Sequence, residues 1–270
     1  GYPNTLAKDA KFNYMTNNSL SPRQQKLQLE LLRKLHEQNR SNSTINEALE
    51  ARIQSFELAF RMQTQAPEVT DLSGESEITR KLYGMDDSKP ENFGKICLLA
   101  RRFAERGVRF IQVSHAHSLP FNNEQWDQHS HLEKGHSINV QQIDKPITGL
   151  IRDLKRLGML EDTLVLWGGE FGRTPFLQGD FKNRKKWGRD HHPYAFTVWM
   201  AGGGVKGGID YGETDEFGFE AVTDKVHLHD IHATILHLMG LDHELLTYFH
   251  QGRKESLTDV HGRVIRDICA

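Results

Sequence analysis

W-G-G-E-F-G-R-T-P, residues Trp167 to Pro175, and W-G-R-D-H-H-P-Y, residues Trp187 to Tyr194, decide how this chain is read. The run Thr163-Leu164-Val165-Leu166-Trp167 that leads into them has the β-branched and apolar character of a buried strand. Gly168 and Gly169 end it and set Glu170 where a strand of a parallel sheet delivers a side chain to a crevice. A second strand is expected over Ala195 to Met200, directly after Asp190, His191 and His192. Two strands that can neighbour each other thus present a carboxylate, an arginine and two imidazoles at their ends. A loop built only for structure rarely concentrates such groups.

Working outward, the segment before this stretch carries a second cluster. From Ser114 the chain reads S-H-A-H-S-L-P and then Q-W-D-Q-H-S-H, with His115, His117, Asp127, His129, His131 and His136. A helix is expected from Phe93 to Arg106, stopped by Gly107, then a strand over Val108 to Val113. After the cluster a helix over Ile138 to Leu157 is stopped by Gly158. With the strand at Thr163, residues 108–169 make one βαβ unit, which predicts an α/β domain with a mainly parallel sheet. Loops that follow strand ends in such a sheet lie along one edge, so the two clusters are expected to converge.

The flanks read more plainly. Residues 1–20 are an irregular arm, and Ser21-Pro22 opens a helix whose Leu29, Leu31, Leu32 and Leu35 form an apolar stripe. Thr44 caps a second helix through Met62, with Ile45, Leu49, Ile53, Phe56 and Phe60 at helical spacing, so a helical hairpin is expected. Residues 66–92 look like a surface loop, which divides the chain into 1–92 and an α/β domain over 93–270. Beyond the second strand, Gly202-Gly203-Gly204 is a turn, residues 204–226 are loop with room for a hairpin, and Asp230 caps a helix over His232 to Met239. A short element closes the chain.

At 270 residues and a net charge of −2, the sequence has ample length for a core and no global field for nucleic acid or an anionic membrane. No apolar run approaches the roughly 20 residues of a membrane span. Cys97 and Cys269 are far apart, form no metal-binding spacing and are assigned no role. Fifteen histidines are the compositional outlier, and their clustering is what gives them meaning.

Asp127, His129, His131, Glu170, Asp190, His191 and His192 are oxygen and nitrogen donors without thiolates. That set suits Zn, Mn, Fe or Ca rather than a cysteine-held structural zinc. The alternative is that the carboxylates cap helices and the imidazoles are solvated. Arg173 and Arg189 can fork onto phosphate, sulfate or carboxylate, and Arg173 can equally pair with Glu170 three positions away. Lys182, Arg184, Lys185 and Lys186 form a basic run on the loop between the two key stretches.

G-E-F-G-R-T-P at Gly169 to Pro175, G-R-D-H-H at Gly188 to His192, W-D-Q-H at Trp126 to His129 and M-Q-T-Q-A-P-E-V at Met62 to Val69 resemble the sulfatase-like family designated domain of unknown function 1501. So do E-R-G-V-R-F at Glu105 to Phe110 and H-D-I-H-A-T-I-L-H-L-M-G-L-D-H at His229 to His243. The resemblance spans nearly the whole chain. It implies the alkaline phosphatase and sulfatase superfamily, a three-layer α/β/α sandwich whose enzymes hydrolyse phosphate or sulfate esters with one or two divalent metals. The implied substrate is an anionic ester or a sulfated or phosphorylated glycan, with Arg173 steadying the oxyanion, and the implied location is periplasmic or extracellular. Glu170-Phe171 stands where the superfamily usually has Asp-His. Residues 1–90 contain no strand bearing a nucleophile and metal-binding aspartate, so the chain is expected to be the carboxyl-terminal part of a longer protein or a member without that half. The competing expectation is a non-catalytic relative that binds metal or an anionic glycan.

Overall fold

A computed structural model describes residues 17, 19–40, 47–115 and 126–270. Thr44 and His117 lie outside the described residues, so the second helix cap and one histidine of the first cluster go untested. The elements begin with α1 (Pro22–Arg40) and α2 (Glu47–Thr70), which pack as the expected helical hairpin. Their apolar stripes are only half covered: Leu27, Leu31, Leu35 and Phe56 stay exposed while Ile53 is buried.

The stretch read as loop after Met62 is largely helical. α2 runs through Pro67 to Thr70 because distant groups hold its last carbonyls: the Arg102 guanidinium donates to the Val69 and Glu68 oxygens, each at 2.7 Å. α3 (Glu77–Leu82) follows, with Ser76 as its N-cap accepting from the Thr79 amide at 3.1 Å. α4 (Glu91–Glu105) and α5 (Leu132–Arg156) form the most extensive helix pair. Phe93, Cys97 and Leu98 of α4 and Ile143 of α5 close around Tyr83, and Trp126 packs against this core. Burying a side chain such as Leu98 completely stabilises the fold by about 1.5–3 kcal/mol. Gly149 is what lets α5 come so near the end of α3, since a Cβ there would stand 2.6 Å from the Leu82 carbonyl oxygen.

One side of this interface is ionic. The side chain of Arg101 on α4, 7% exposed, lies 3.1 Å from Asp153 on α5 and pairs with Glu75 at 2.7 Å and Glu105 at 2.6 Å. Tyr83 donates its hydroxyl to Asp153 at 3.1 Å, and burial is the main force raising the Tyr83 pKa.

The sheet expectation is overturned. β1 (Val165–Trp167) and β4 (Trp199–Ala201) do pair, but antiparallel, with Trp167 opposite Trp199. Between them lie β2 (Gly172–Arg173) and β3 (His191–His192), themselves an antiparallel pair, and no α-helix. A parallel neighbour needs a crossover that carries the chain back to the starting edge; a hairpin between the strands returns it head to tail instead. β5 (Glu213–Thr214) with β6 (Ala221–Thr223) and β7 (Thr247–His250) with β8 (Arg253–Ser256) are two more antiparallel ribbons, the first inside the loop where a hairpin had room. Among the described residues every sheet has two strands and none is parallel. The architecture is therefore not a three-layer α/β/α sandwich. Residues 108–113, expected as a strand, carry no ladder. Val108, Ile111 and Val113 are more covered than Arg109, Phe110 and Gln112, yet among the described residues no strand pairs with them.

α6 (Leu228–Leu238) starts four residues before the expected His232. His227 is the N-cap and Asp230 the third helical residue, its carboxylate accepting from the His227 amide at 2.9 Å in a capping box.

Candidate metal centre

The site is assembled from two segments that the sequence keeps far apart. The first, Trp126 to His131, leads into α5. Trp126 anchors it, donating its indole N–H to His115 Nδ1 at 2.9 Å and meeting His136 edge to face. The second is the β2–β3 hairpin, tightened above its short ladder by the Gln178–Gly188 bridge. Two backbone hydrogen bonds sew the segments together: Leu132 N–H to the Trp187 oxygen at 2.9 Å and Arg189 N–H to the Gln128 oxygen at 3.1 Å. Gly188 makes the seam possible. A Cβ at this position would lie 2.1 Å from the His129 carbonyl carbon and oxygen, so only glycine lets the two backbones meet.

On this seam Asp127 Oδ1, His129 Nε2 and His191 Nε2 converge. The separations are 3.0 Å from Asp127 to His129, 2.8 Å from Asp127 to His191 and 3.2 Å between the two imidazole nitrogens. A tetrahedral ion with bonds of about 2.1 Å sets its ligand atoms about 3.4 Å apart, so this triangle is one slightly contracted face of such a shell. All three side chains are well exposed, which leaves the remaining side open. Among the described residues these three are the group whose donors could hold a metal ion.

The surroundings suit that role. His129 Nδ1 lies 2.8 Å from Gln178 Oε1; an amide oxygen only accepts, so Nδ1 carries the hydrogen and the Nε2 lone pair faces the site. A lone pair 3.0 Å from a carboxylate oxygen is favourable only with a proton or a cation between them. Arg173 Nη1 donates to Asp127 Oδ1 at 2.8 Å while its Nη2 reaches the Trp126 carbonyl at 3.3 Å. Hydrogen bonds from His191 and then Arg173 hold the Asp127 carboxyl down to about 2, well below the usual carboxylate range. The Phe171 ring lies 4.3 Å from that of His191 and 5.6 Å from the Arg173 guanidinium carbon.

The other expected ligands stand apart from the triangle. Glu170 is exposed and lies 3.7 Å from Arg173 Nη2, at the rim. Asp190 Oδ1 accepts from the His191 amide at 2.8 Å and is 3.6 Å from His129 Nδ1, on the far side of that ring from the triangle. His131 caps α5 in the left-handed backbone region, φ 55°, and its Nδ1 meets the Ser130 hydroxyl. His192 is buried and donates Nε2–H to the Phe219 carbonyl. Next to His191 in sequence, it points to the opposite face of β3, as alternation along a strand requires. Arg189 donates to the Thr174 carbonyl at 2.5 Å within the hairpin. Sequence reasoning missed Gln178, which no local pattern marks, and the seam role of Gly188, whose only signal was a glycine directly before the R-D-H-H run.

No curated protein and no solved structure matches this chain. A family model, described as a protein of unknown function and designated DUF1501, matches residues 4–269. The motifs that furnish this centre, W-D-Q-H and G-R-D-H-H, lie inside the matched span, and the chain belongs to the DUF1501 family.

Proposed function

We propose that Asp127, His129 and His191 bind a divalent cation, and that with Arg173 they form a site for hydrolysis of an anionic ester. The observation that carries this reading is the triangle of one carboxylate oxygen and two imidazole nitrogens with a guanidinium on its edge. When bound, the ion supplies Lewis-acid polarisation of an ester oxygen. The residues do the rest. Gln178 fixes the His129 ring, and Trp126 and the Gly188 seam hold the two halves in register. Arg173 offers a planar fork to a phosphate or sulfate oxygen. Phosphate or sulfate is the ester class favoured by the motifs' resemblance to the sulfatase-like enzymes, and a periplasmic or extracellular location goes with the same resemblance. The ion is zinc, manganese or calcium, with zinc favoured by the two imidazoles.

A second reading has its own observation. Arg173 already neutralises Asp127 at 2.8 Å, so the cluster can serve as an ionic clasp in a non-catalytic relative. Calorimetric titration with zinc, manganese and calcium, followed by a panel of phosphate and sulfate esters, separates the two. Asp127→Asn and His191→Ala are expected to abolish uptake, Gln178→Leu to weaken it about 10–100-fold, and Arg173→Lys to spare uptake while weakening anion binding. A parent protein that takes up none of the three ions refutes the metal site and leaves the clasp; uptake without turnover of any ester refutes the hydrolase and leaves a metal-binding, non-catalytic relative.

A further inference from the structure

Two adjoining elements carry opposite charge, and neither neutralises the other within the chain. The first is the tip of the β2–β3 hairpin, where Lys182, Arg184, Lys185 and Lys186 are exposed. Its backbone is fixed: Asp180 Oδ1 accepts from the Lys182 amide at 3.0 Å, and Trp187 donates its indole N–H to the Asp180 carbonyl at 3.1 Å. The Asn183 side chain caps the single 3-10 turn Arg184–Lys186. The second is the β5–β6 ribbon. From Ile209 to Asp224 the chain carries Asp210, Glu213, Asp215, Glu216, Glu220 and Asp224 and neither lysine nor arginine. This turn too is built: Asp215 Oδ1 accepts from the amides of Phe217 at 3.0 Å and Phe219 at 2.8 Å, and Oδ2 from that of Glu220 at 3.1 Å. Among the described residues only Arg184 of the four cations reaches a carboxylate, Glu133 at 3.2 Å, while Glu213, Glu216 and Glu220 make no ion pair.

Aromatic side chains run from one pole to the other. Phe181 stands at the tip, Phe176 and Phe219 stack with centroids 6.2 Å apart where the two elements meet, and Phe217 lies on the turn of the ribbon. The ribbon is sewn to the far side of the hairpin by Ala221 N–H to the Tyr194 carbonyl at 3.3 Å and by His192 Nε2–H to the Phe219 carbonyl. The stack still leaves Phe176 more than half exposed, and Phe181 at 75% and Phe217 at 73% are more open. We infer that this face is the interface of a two-fold symmetric dimer, the hairpin tip of each copy lying on the β5–β6 ribbon of the other. A two-fold axis sets a surface against its own reversed image, so a face with cations at one end and carboxylates at the other is its own complement. Aromatic side chains are enriched at interface cores, and paired charges around them set the register. A polyanion would suit the tip and be repelled by the ribbon, and a polycation the reverse; a second copy answers both. The inference is independent of any ion at the Asp127–His129–His191 centre.

Sedimentation velocity over a dilution series tests it. The parent is expected to form dimers with a Kd below about 100 μM, and to lose at least about tenfold in affinity between about 0.05 and about 0.5 M salt as the poles are screened. Reversing the tip (K182E, K185E and K186E together) or the ribbon (E213K, E216K and E220K together) is expected to leave a monomer, because like charges then meet at both ends. Mixed in equal amounts, the two reversed proteins are expected to form a one-to-one pair, since every tip again meets a ribbon of opposite sign. Phe217→Ala is expected to weaken the dimer at least about tenfold and leave its salt dependence as it was. Should circular dichroism show either reversed protein unfolded, the neutral sets K182Q, K185Q, K186Q and E213Q, E216Q, E220Q take their place, each expected to weaken dimerisation at least about tenfold. The proposal is overturned if the parent stays monomeric throughout or grows into open-ended chains. It is equally overturned if a triple variant or Phe217→Ala dimerises as the parent does, or if the two folded reversed proteins fail to pair.

Discussion

At the scale of single residues, Asp127 Oδ1 is the hub. His129, His191 and Arg173 all point at this one oxygen. Its depressed pKa fixes the sign of a pH effect. A carboxylate whose folded pKa lies below its unfolded value contributes stability that is fully present above the unfolded value and is lost as pH falls through the folded one. For Asp127 the window runs from the ordinary carboxylate range down to about 2. We expect Asp127→Asn to differ in stability from the parent at neutral pH and to converge with it below that window. The difference will be small, since the carboxylate is half exposed and water screens it. Acid titration of both proteins by circular dichroism checks it; a gap that persists unchanged to the lowest pH points to a cause other than this charge. Asp127 and the two pairs of histidines, His129 with His131 and His191 with His192, were legible as candidates because ligand chemistry is written in residue type. Which of two adjacent imidazoles faces Asp127 was not, since His191 and His192 differ only in the face of β3 they occupy.

Among the elements, the hairpin and the start of α5 meet through backbone, and backbone contacts leave almost no trace in side-chain pattern. Gly188→Ala is the direct probe. Its methyl group meets His129 backbone atoms 2.1 Å away, so the two segments must part. We expect zinc affinity to fall at least about tenfold, as when the partners that orient metal ligands are lost, with helical content retained. Titration calorimetry beside far-ultraviolet circular dichroism checks both halves; unchanged zinc affinity would show the seam to be dispensable. The helices themselves were readable: the stripes of α1 and α2, the stop at Gly107 and the stop at Gly158 are local signals. The extension of α2 past Pro67 was not, because the groups that satisfy its last carbonyls come from Arg102. The parallel sheet failed for a related reason. Val165 to Trp167 and Trp199 to Ala201 have strand composition in either orientation, and direction is set by what lies between them, which here is a hairpin.

Over the whole molecule, two kinds of cohesion lie side by side: the α4–α5 core and the sewn loops of the site. The core depends on Arg101, whose guanidinium neutralises Asp153, Glu75 and Glu105. Arg101→Met keeps much of the volume and strands Asp153, which is fully buried. We expect a loss of about 3 kcal/mol or more, read as a lower urea midpoint at constant slope. A loss under about 0.5 kcal/mol, the scale of an ordinary surface change, would mean that Arg156 and Tyr83 satisfy Asp153 without it. Arg101 pairs with Glu75 from before its own helix and with Asp153 from the next, so no periodicity foretells it. The seam at Gly188 differs in kind from this core. It joins residues near 130 to residues near 188 through two amides, a bare glycine and polar contacts of exposed side chains such as Asp127, His129 and His191. Cooperative units with few buried contacts open at lower free energy than the packed helices around them. The centre can therefore dissolve while α4 and α5 stay folded, and an ion that bridges the seam would act as a rivet, binding only the closed form and so drawing the two loops shut.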